Sequence, residues 1–268
     1  MAEDRQKSVM DAGRKLLVLA YNLIRISRAN PSGLRHVLGV ALSGSSDVIS
    51  PEADVRSLPE ITLAELFGDK QSIRAVVEVF NDGAAAVSGL ECIALSVLMV
   101  ANRCRRVFEF GTYKGISTTQ LALNLAPGGM VFTIDLPEDD PRYSLTISSP
   151  AERKLTKEAG KGRLVPEDLL AKVTFLRMDS AEFDPAPFLE SIDLAFVDGA
   201  HSYDYVKNDS LKAWQMLRPG GWLVWHDCSP RHRDVVRFLK SFPSAVNRVA
   251  GTDLALSQKP DTDRGSKG

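Results

Sequence analysis

The sequence predicts a doubly wound α/β domain, a largely parallel sheet with helices on both faces. Three observations predict it. Short apolar runs recur between residues 105 and 240, as at Val107–Phe110, Val173–Leu176 and Ile192–Val197. Each is mostly apolar, with one polar residue, rather than strictly alternating, as befits strands buried on both faces. Helical patterns separate them, so successive strands need crossover connections. The runs also end on glycines and polar side chains, at Gly111, Asp135, Asp179, Asp198 and Asp227. In open α/β sheets that carboxyl edge is where ligands bind, near the point where the strand order reverses.

Before the first of these strands the chain reads as helical. Val9, Leu16, Leu17, Ala20, Leu23 and Ile24 recur at helical spacing, and Asn30-Pro31-Ser32-Gly33 ends the segment. That run is too short to span a bilayer, and Asp4 and Asp11 interrupt the basic leader that a signal peptide would need. A helix packed on the main domain or on a second copy of the chain is the simpler reading. Thr62 is placed to cap a short helix from Leu63 to Gly68, and Ser72 to start another that reaches Phe80. Residues 84–102 form a strongly apolar helix. The expected order is then a strand ending at Gly111, a helix over Ser117–Leu125, and a strand over Met130–Ile134 closed by Asp135. Strands follow at Val173–Leu176 and Ile192–Val197, then a helix over Tyr203–Leu217 and a strand over Trp222–Trp225. A helix over Val235–Leu239 and a late strand near Leu254–Leu256 complete the domain. The division reads as an N-terminal helical extension over 1–83, the main domain over 84–257, and a flexible tail over 258–268. Residues 137–171 form a long polar insertion of the kind that serves as a lid.

Composition narrows the partners. With 33 Lys and Arg against 34 Asp and Glu, no electrostatic footprint for nucleic acid or an anionic membrane exists. Three cysteines in no metal-binding spacing suit a reducing, cytoplasmic setting.

Five strings carry chemistry. Glu109-Phe110-Gly111-Thr112-Tyr113-Lys114-Gly115 joins a strand to a helix. Its G-x-x-x-G spacing is neither the dinucleotide fingerprint nor a P-loop, and Gly111 allows a sharp turn while Gly115 lets a ligand approach the backbone. Asp135 lies twenty residues beyond Gly115 at the next strand end, where a carboxylate can accept from ribose hydroxyls. Met178-Asp179-Ser180 follows the third strand, and Asp179 can accept from an adenine amino group. Asp198-Gly199-Ala200-His201-Ser202-Tyr203 follows the fourth. Asp198 suits a metal or a hydrogen-bonded cation, and His201 suits proton abstraction. Arg218-Pro219-Gly220-Gly221 turns a helix into the fifth strand, which delivers His226-Asp227-Cys228 to the same edge. Asp198 and Asp227 either share a hard divalent ion such as Mg²⁺ or form a metal-free pair held apart by hydrogen bonds.

In this order the strings resemble class I S-adenosylmethionine-dependent methyltransferases over roughly residues 90–230. The D-G-x-H-S-Y string and the later H-D are similar to those of macrocin-type sugar O-methyltransferases, and more distantly of catechol and caffeoyl-CoA O-methyltransferases. The resemblance implies a Rossmann-like methyltransferase sheet, S-adenosylmethionine as cofactor and a small-molecule acceptor, most simply an oxygen. It implies that Glu109, Gly111, Thr112, Tyr113, Gly115 and Ser117 border the methionine end, and that Asp135 and Leu136 lie at the ribose. Asp179 and Ser180 would lie at the adenine. Asp198 and Asp227 would be the metal ligands, Asp198 also touching the cofactor, with His201 as the base. One position departs from the pattern: where related metal-dependent enzymes carry Asp or Asn after the second metal aspartate, this chain has Cys228, a poor ligand for a hard ion. Two rival readings keep the same sheet. One is a non-catalytic cofactor-binding protein. The other is a metal-dependent hydroxylase-like relative, for which the sequence offers no evident two-histidine set unless His226 joins. A homodimer through the N-terminal helices is the expected assembly.

Overall fold

The computed structural model describes residues 54–68, 70, 72–80, 87–139, 142–147, 153–154 and 160–261, all within one compact unit. The expected helix over residues 1–30, and any dimer contact made through it, lie outside the described residues. Among these residues no helix is long and apolar enough to cross a membrane.

The strands are β1 (Glu60–Ile61), β2 (Arg106–Phe110), β3 (Met130–Asp135), β4 (Val173–Arg177), β5 (Ile192–Val197), β6 (Leu217–Trp225), β7 (Asn247–Val249) and β8 (Ala255–Gln258). The helices are α1 (Gly89–Ala101), α2 (Ile116–Leu123), α3 (Tyr203–Met216) and α4 (Arg233–Ser241). The strands form one sheet in the order β1-β7-β8-β6-β5-β2-β3-β4, and β8 alone runs antiparallel to its neighbours. From β2 the chain proceeds outward through β3 and β4, then returns to lay β5 and β6 on the other side. The order therefore reverses between β2 and β5, and a ligand crevice opens there.

Alternate residues of the buried strands face opposite layers. Val107, Val131, Leu194, Phe196 and Val224 pack against α1 and α2 in one core. Phe108, Phe110, Ile134, Ala195, Val197 and Trp225 pack with residues of α3 and α4 in the other. Helix α1 begins later than the expected residue 84. Ser88 caps it, its Oγ accepting from the Glu91 amide while the Glu91 carboxylate accepts from the Ser88 amide, a reciprocal capping box.

Several expectations need correction. The helix expected over 72–80 is absent, and this segment is extended. Its backbone pairs with side-chain amides of α2 and the residue that ends it. Asn124 accepts from the Val76 N–H (2.9 Å) and donates to the Val76 carbonyl (2.8 Å). Gln120 does the same for Glu78, at 3.1 and 2.9 Å. Two buried amides thus imitate a neighbouring strand, and local propensity gives way. Glu60–Ile61, assigned to the extension, is the edge strand beside β7. The expected tail start at 258 is also too early. The Lys259 N–H donates to the Gly221 carbonyl and the Gly220 N–H to the Lys259 carbonyl. Strand β6 begins at Leu217, five residues before the expected start. Leu217 pairs with Ile192 and Trp222 with Leu194, so the Pro-Gly-Gly turn is a bulge inside the strand, with Gly220 at φ 73°.

Asn124→Ala should leave the Val76 N–H without its partner and its carbonyl with only the Ser96 hydroxyl, at 3.3 Å. We expect a loss of about 1–3 kcal/mol, read by chemical denaturation, with proteolytic sensitivity rising first within residues 72–80.

Candidate functional site

At the switch point the carboxyl ends of β2 and β5 meet backbone to backbone. The Asp198 N–H donates to the Phe110 carbonyl at 2.8 Å, and the Gly111 N–H to the Ile134 carbonyl at 2.9 Å. Gly111 has φ 97°, and a Cβ there would sit 2.0 Å from the Asp198 carbonyl oxygen. Only glycine fits. The following loop holds Tyr113 at φ 42°, a strained conformation for a bulky residue. Gly115, at φ 92°, opens α2. The loop is anchored from below. The Glu109 carboxylate is fully buried and accepts from Thr118 Oγ1 at 2.5 Å. Burial pushes this carboxyl up to about 7, with the Asp198 charge adding to the effect while neighbouring hydroxyls oppose it.

Asp135 closes β3 beside that loop. Its Oδ2 accepts from the Thr112 and Tyr113 amides, at 3.1 and 2.8 Å. Its Oδ1 pairs with Lys161 Nζ at 2.5 Å, and the same ammonium donates to the Leu136 carbonyl. Two of the carboxylate's four lone-pair directions serve the loop and a third serves Lys161, leaving one unused by these contacts. Lys161 comes from the insertion, and it is nearly buried. Its neighbours clamp the glycine loop: the Gly162 N–H donates to the Tyr113 carbonyl and the Leu164 N–H to the Lys114 carbonyl. A Cβ on Gly162 would strike the Phe175 ring at 2.6 Å. Residues 160–165 are therefore a fixed wall, not part of a free lid.

Asp179 follows β4. It accepts from the Ser144 amide (2.7 Å), the Ala181 amide (2.9 Å) and the Tyr205 hydroxyl (3.0 Å). Tyr205 and Asp209 reach this end from α3. Asp209 is buried and accepts from Asn208 Nδ2; burial pushes its carboxyl up to about 7, against the opposing hydrogen bonds of Ser180 and Asn208.

The histidines gather at the other end. His226 stands among three carboxylates. Its Nδ1 lies 3.1 Å from Asp198 and 3.4 Å from Asp227, and its Nε2 lies 3.3 Å from Glu91. Burial opposes its charge, but the three carboxylates outweigh burial and hold the imidazole protonated well above its usual range. Glu91 in turn is held down to about 2: burial opposes ionisation, and the His226 imidazolium with the Ser88 and Asp253 amides overcomes it. Asp227 has φ 59°, so its carboxylate leaves the line of β6. Its Oδ2 meets His201 Nε2 at 2.5 Å and its Oδ1 meets His232 Nδ1 at 3.1 Å. The same turn sends Cys228 into the core, where it is buried, so it offers nothing to the site.

A cavity of about 1260 Å³ joins the two ends. Gly111, Tyr113, Asp135, Leu136, Asp179, Ser180, Asp198, His201 and Asp227 all line it, as the sequence implied. Glu109, Thr112, Gly115 and Ser117 do not; Thr112 and Gly115 belong to the loop itself, and Glu109 and Ser117 are buried. The sequence reading missed Glu91, Lys161, Tyr205, Asp209 and His232. His226 had a place only in the two-histidine set of the hydroxylase-like reading. Of the missed residues, Glu91 alone carried a local signal, as the fourth residue of the S-x-x-E capping pattern.

Asp209 supplies a pH test. Its folded value lies above the ordinary carboxylate value, so its contribution to stability is fully present below about pH 4 and is lost as pH rises through about 7. Asp209→Asn should flatten this dependence. We expect the variant to match the parent near pH 5 and to exceed it by about 2 kcal/mol at pH 8, read from denaturant midpoints.

Residues 108–228 match a family model described as a methyltransferase domain. No curated protein matches the chain by sequence. Among solved structures, a cofactor-bound protein from MTB is 21% identical, with 66% of this chain and 83% of that one covered and a TM-score of 0.48. The O-methyltransferase TomG from Streptomyces achromogenes, in complex with SAM, is 22% identical over 65% and 82% of the two chains, at 0.44. An O-methyltransferase from Bacillus cereus in complex with SAH is 20% identical over 65% and 83%, at 0.46. The family match covers the domain and not a subgroup, so the macrocin-type likeness rests on the sequence strings alone. The matched segment runs from within β2 to just past Asp227, the stretch that builds the cavity's carboxyl edge, so residues 108–228 are similar to a methyltransferase domain and lie on a Rossmann-like sheet.

Proposed function

We propose that this protein transfers the methyl group of S-adenosylmethionine to a hydroxyl oxygen of a small-molecule acceptor. The observation that carries this reading is the single cavity, which runs from Asp135 and Asp179 to His201 and Asp227. At about 1260 Å³ it exceeds the 300–1,000 Å³ common for one small ligand, so a cofactor and an acceptor fit end to end.

The cofactor's adenosine lies toward Asp135 and Asp179, its ribose taking the free lone pair of Asp135. Its methionine end crosses Gly111, where the missing side chain leaves bare backbone. The sulfonium already activates the methyl group, so the protein's work is to desolvate the acceptor and align its oxygen behind the methyl carbon. The acceptor's proton is drawn off at the His201–Asp227 pair, which lies at the far end of the cavity.

The resemblance also implied Mg²⁺ on Asp198 and Asp227. The residues present do not fit it. A hard octahedral ion asks for oxygen donors, but the His226 imidazolium already lies between the two carboxylates, and Cys228 is turned away.

Calorimetric titration of the full chain with S-adenosylmethionine and S-adenosylhomocysteine, with NAD as control, tests the cofactor. We expect both sulfur ligands to bind and NAD not to. Asp135→Asn should weaken both by roughly tenfold or more. Binding of neither ligand by a folded sample would overturn the reading. Given an acceptor, His201→Ala should lower kcat by about a hundredfold or more, with cofactor affinity unchanged.

A further inference from the structure

Three of the chain's four histidines meet at one strand end, and the Mg²⁺ mismatch leaves two of them without a role as ligands. His201 reaches the end of β6 from the turn before α3. Asp227 ends β6 in a left-handed conformation. His232 is the cap residue of α4. Their nitrogen and oxygen atoms lie within 4.8 Å of one another. Asp227 presents one oxygen to each imidazole, Oδ2 to His201 Nε2 and Oδ1 to His232 Nδ1. The two rings lie 4.6 Å apart, inclined by 30°, so both nitrogens turn toward the same carboxylate.

Two imidazoles and one carboxylate, on three separate segments, make a donor set for a borderline ion. Imidazole nitrogen favours Zn²⁺, Fe²⁺ and their neighbours over Mg²⁺, and catalytic zinc sites commonly use three protein ligands with an open fourth position. The charge balance also permits a cation. Glu91, Asp198 and Asp227 bring three carboxylates within 3.4 Å of His226, so the neighbourhood is acidic. All three candidate ligands line the large cavity, so an open coordination position would face bound ligands rather than the core.

We propose that His201, Asp227 and His232 form a binding site for one first-row divalent transition ion of the Zn²⁺ class, distinct from the Asp198–Asp227 arrangement of Mg²⁺-dependent relatives. Ion binding does not depend on the methyl-transfer reading. Only the ion's use, to hold an acceptor oxygen at the open position, rests on it; with the ion in place His201 is a ligand rather than the base, and the ion lowers the acceptor hydroxyl's pKa so that its proton passes to solvent.

The test uses the tag-free full chain, stripped with chelator and titrated with Zn²⁺ and with Co²⁺ as a spectroscopic probe, S-adenosylmethionine being absent. We expect one equivalent of each ion to bind, Co²⁺ with visible absorption of an imidazole-ligated site, and Mg²⁺ not to displace either at millimolar concentration. His232→Ala, at a partly exposed cap residue outside the sheet, should weaken Zn²⁺ by roughly a hundredfold or more while S-adenosylhomocysteine affinity stays unchanged. Asp227→Asn should do the same to Zn²⁺. No stoichiometric Zn²⁺ or Co²⁺ binding by the folded parent would overturn the proposal, as would binding that survives both substitutions. Either result would leave His201 as the acceptor's base and the cofactor reading untouched. Loss of S-adenosylmethionine binding with Zn²⁺ binding intact would overturn the cofactor reading and not this one.

Discussion

The strand ends on the histidine side of the cavity are organised around one largely enclosed imidazolium. His226 leaves β6 and faces Asp198 from β5, Asp227 from its own strand end and Glu91 from α1. Like charges brought this close repel strongly in a medium of low dielectric, and a protonated imidazole among them turns that repulsion into attraction. The charge fixes the relative positions of two strand ends and a helix start. Removing one partner from such a buried set leaves an uncompensated charge, which costs far more than the set contributes when complete.

Glu91 shows how local and long-range structure share one side chain. Its backbone amide and carboxylate close the capping box with Ser88, so it starts α1. The same carboxylate accepts from the Asp253 amide just before β8 and contacts His226. A helix start, the antiparallel strand β8 and the histidine cluster are thereby locked together. At the other end of the cavity Lys161 does comparable work, tying the insertion to Asp135 while Gly162 and Leu164 pin the glycine loop. Both ends are preorganised, as a site that must align two molecules requires.

The strands were legible because burial on both faces writes them as short, mostly apolar runs. Ile192–Val197 begins and ends where its apolar residues do, and β2, β3 and β4 depart from expectation by a residue or so. The misreadings have physical causes. Residues 72–80 carry apolar residues compatible with a helix, but Asn124 and Gln120 supply hydrogen bonds to an extended chain. Strands β1 and β7 are two and three residues long, too short for any period to show. The bulge at Pro219–Gly221 reads locally as a turn, and only its pairing with Lys259 makes it part of the sheet.

By itself the sequence determined the sheet, the chemical identity of each strand end and the glycine on which the crevice depends. Those features are local: an apolar run, the residue after it, and a conformation that only glycine adopts against the Asp198 backbone. What surrounds each strand end was decided by tertiary structure. Lys161 lies 26 residues from Asp135, Glu91 lies 135 from His226, and His232 meets His201 only because α3 and β6 bring the chain back to the same edge. The direction of a side chain at a strand end also escaped the sequence. Asp227 takes a left-handed conformation that breaks the two-residue alternation, so its carboxylate joins the histidines and Cys228 enters the core. Pattern reasoning follows regular backbone, and the site is built where the backbone stops being regular.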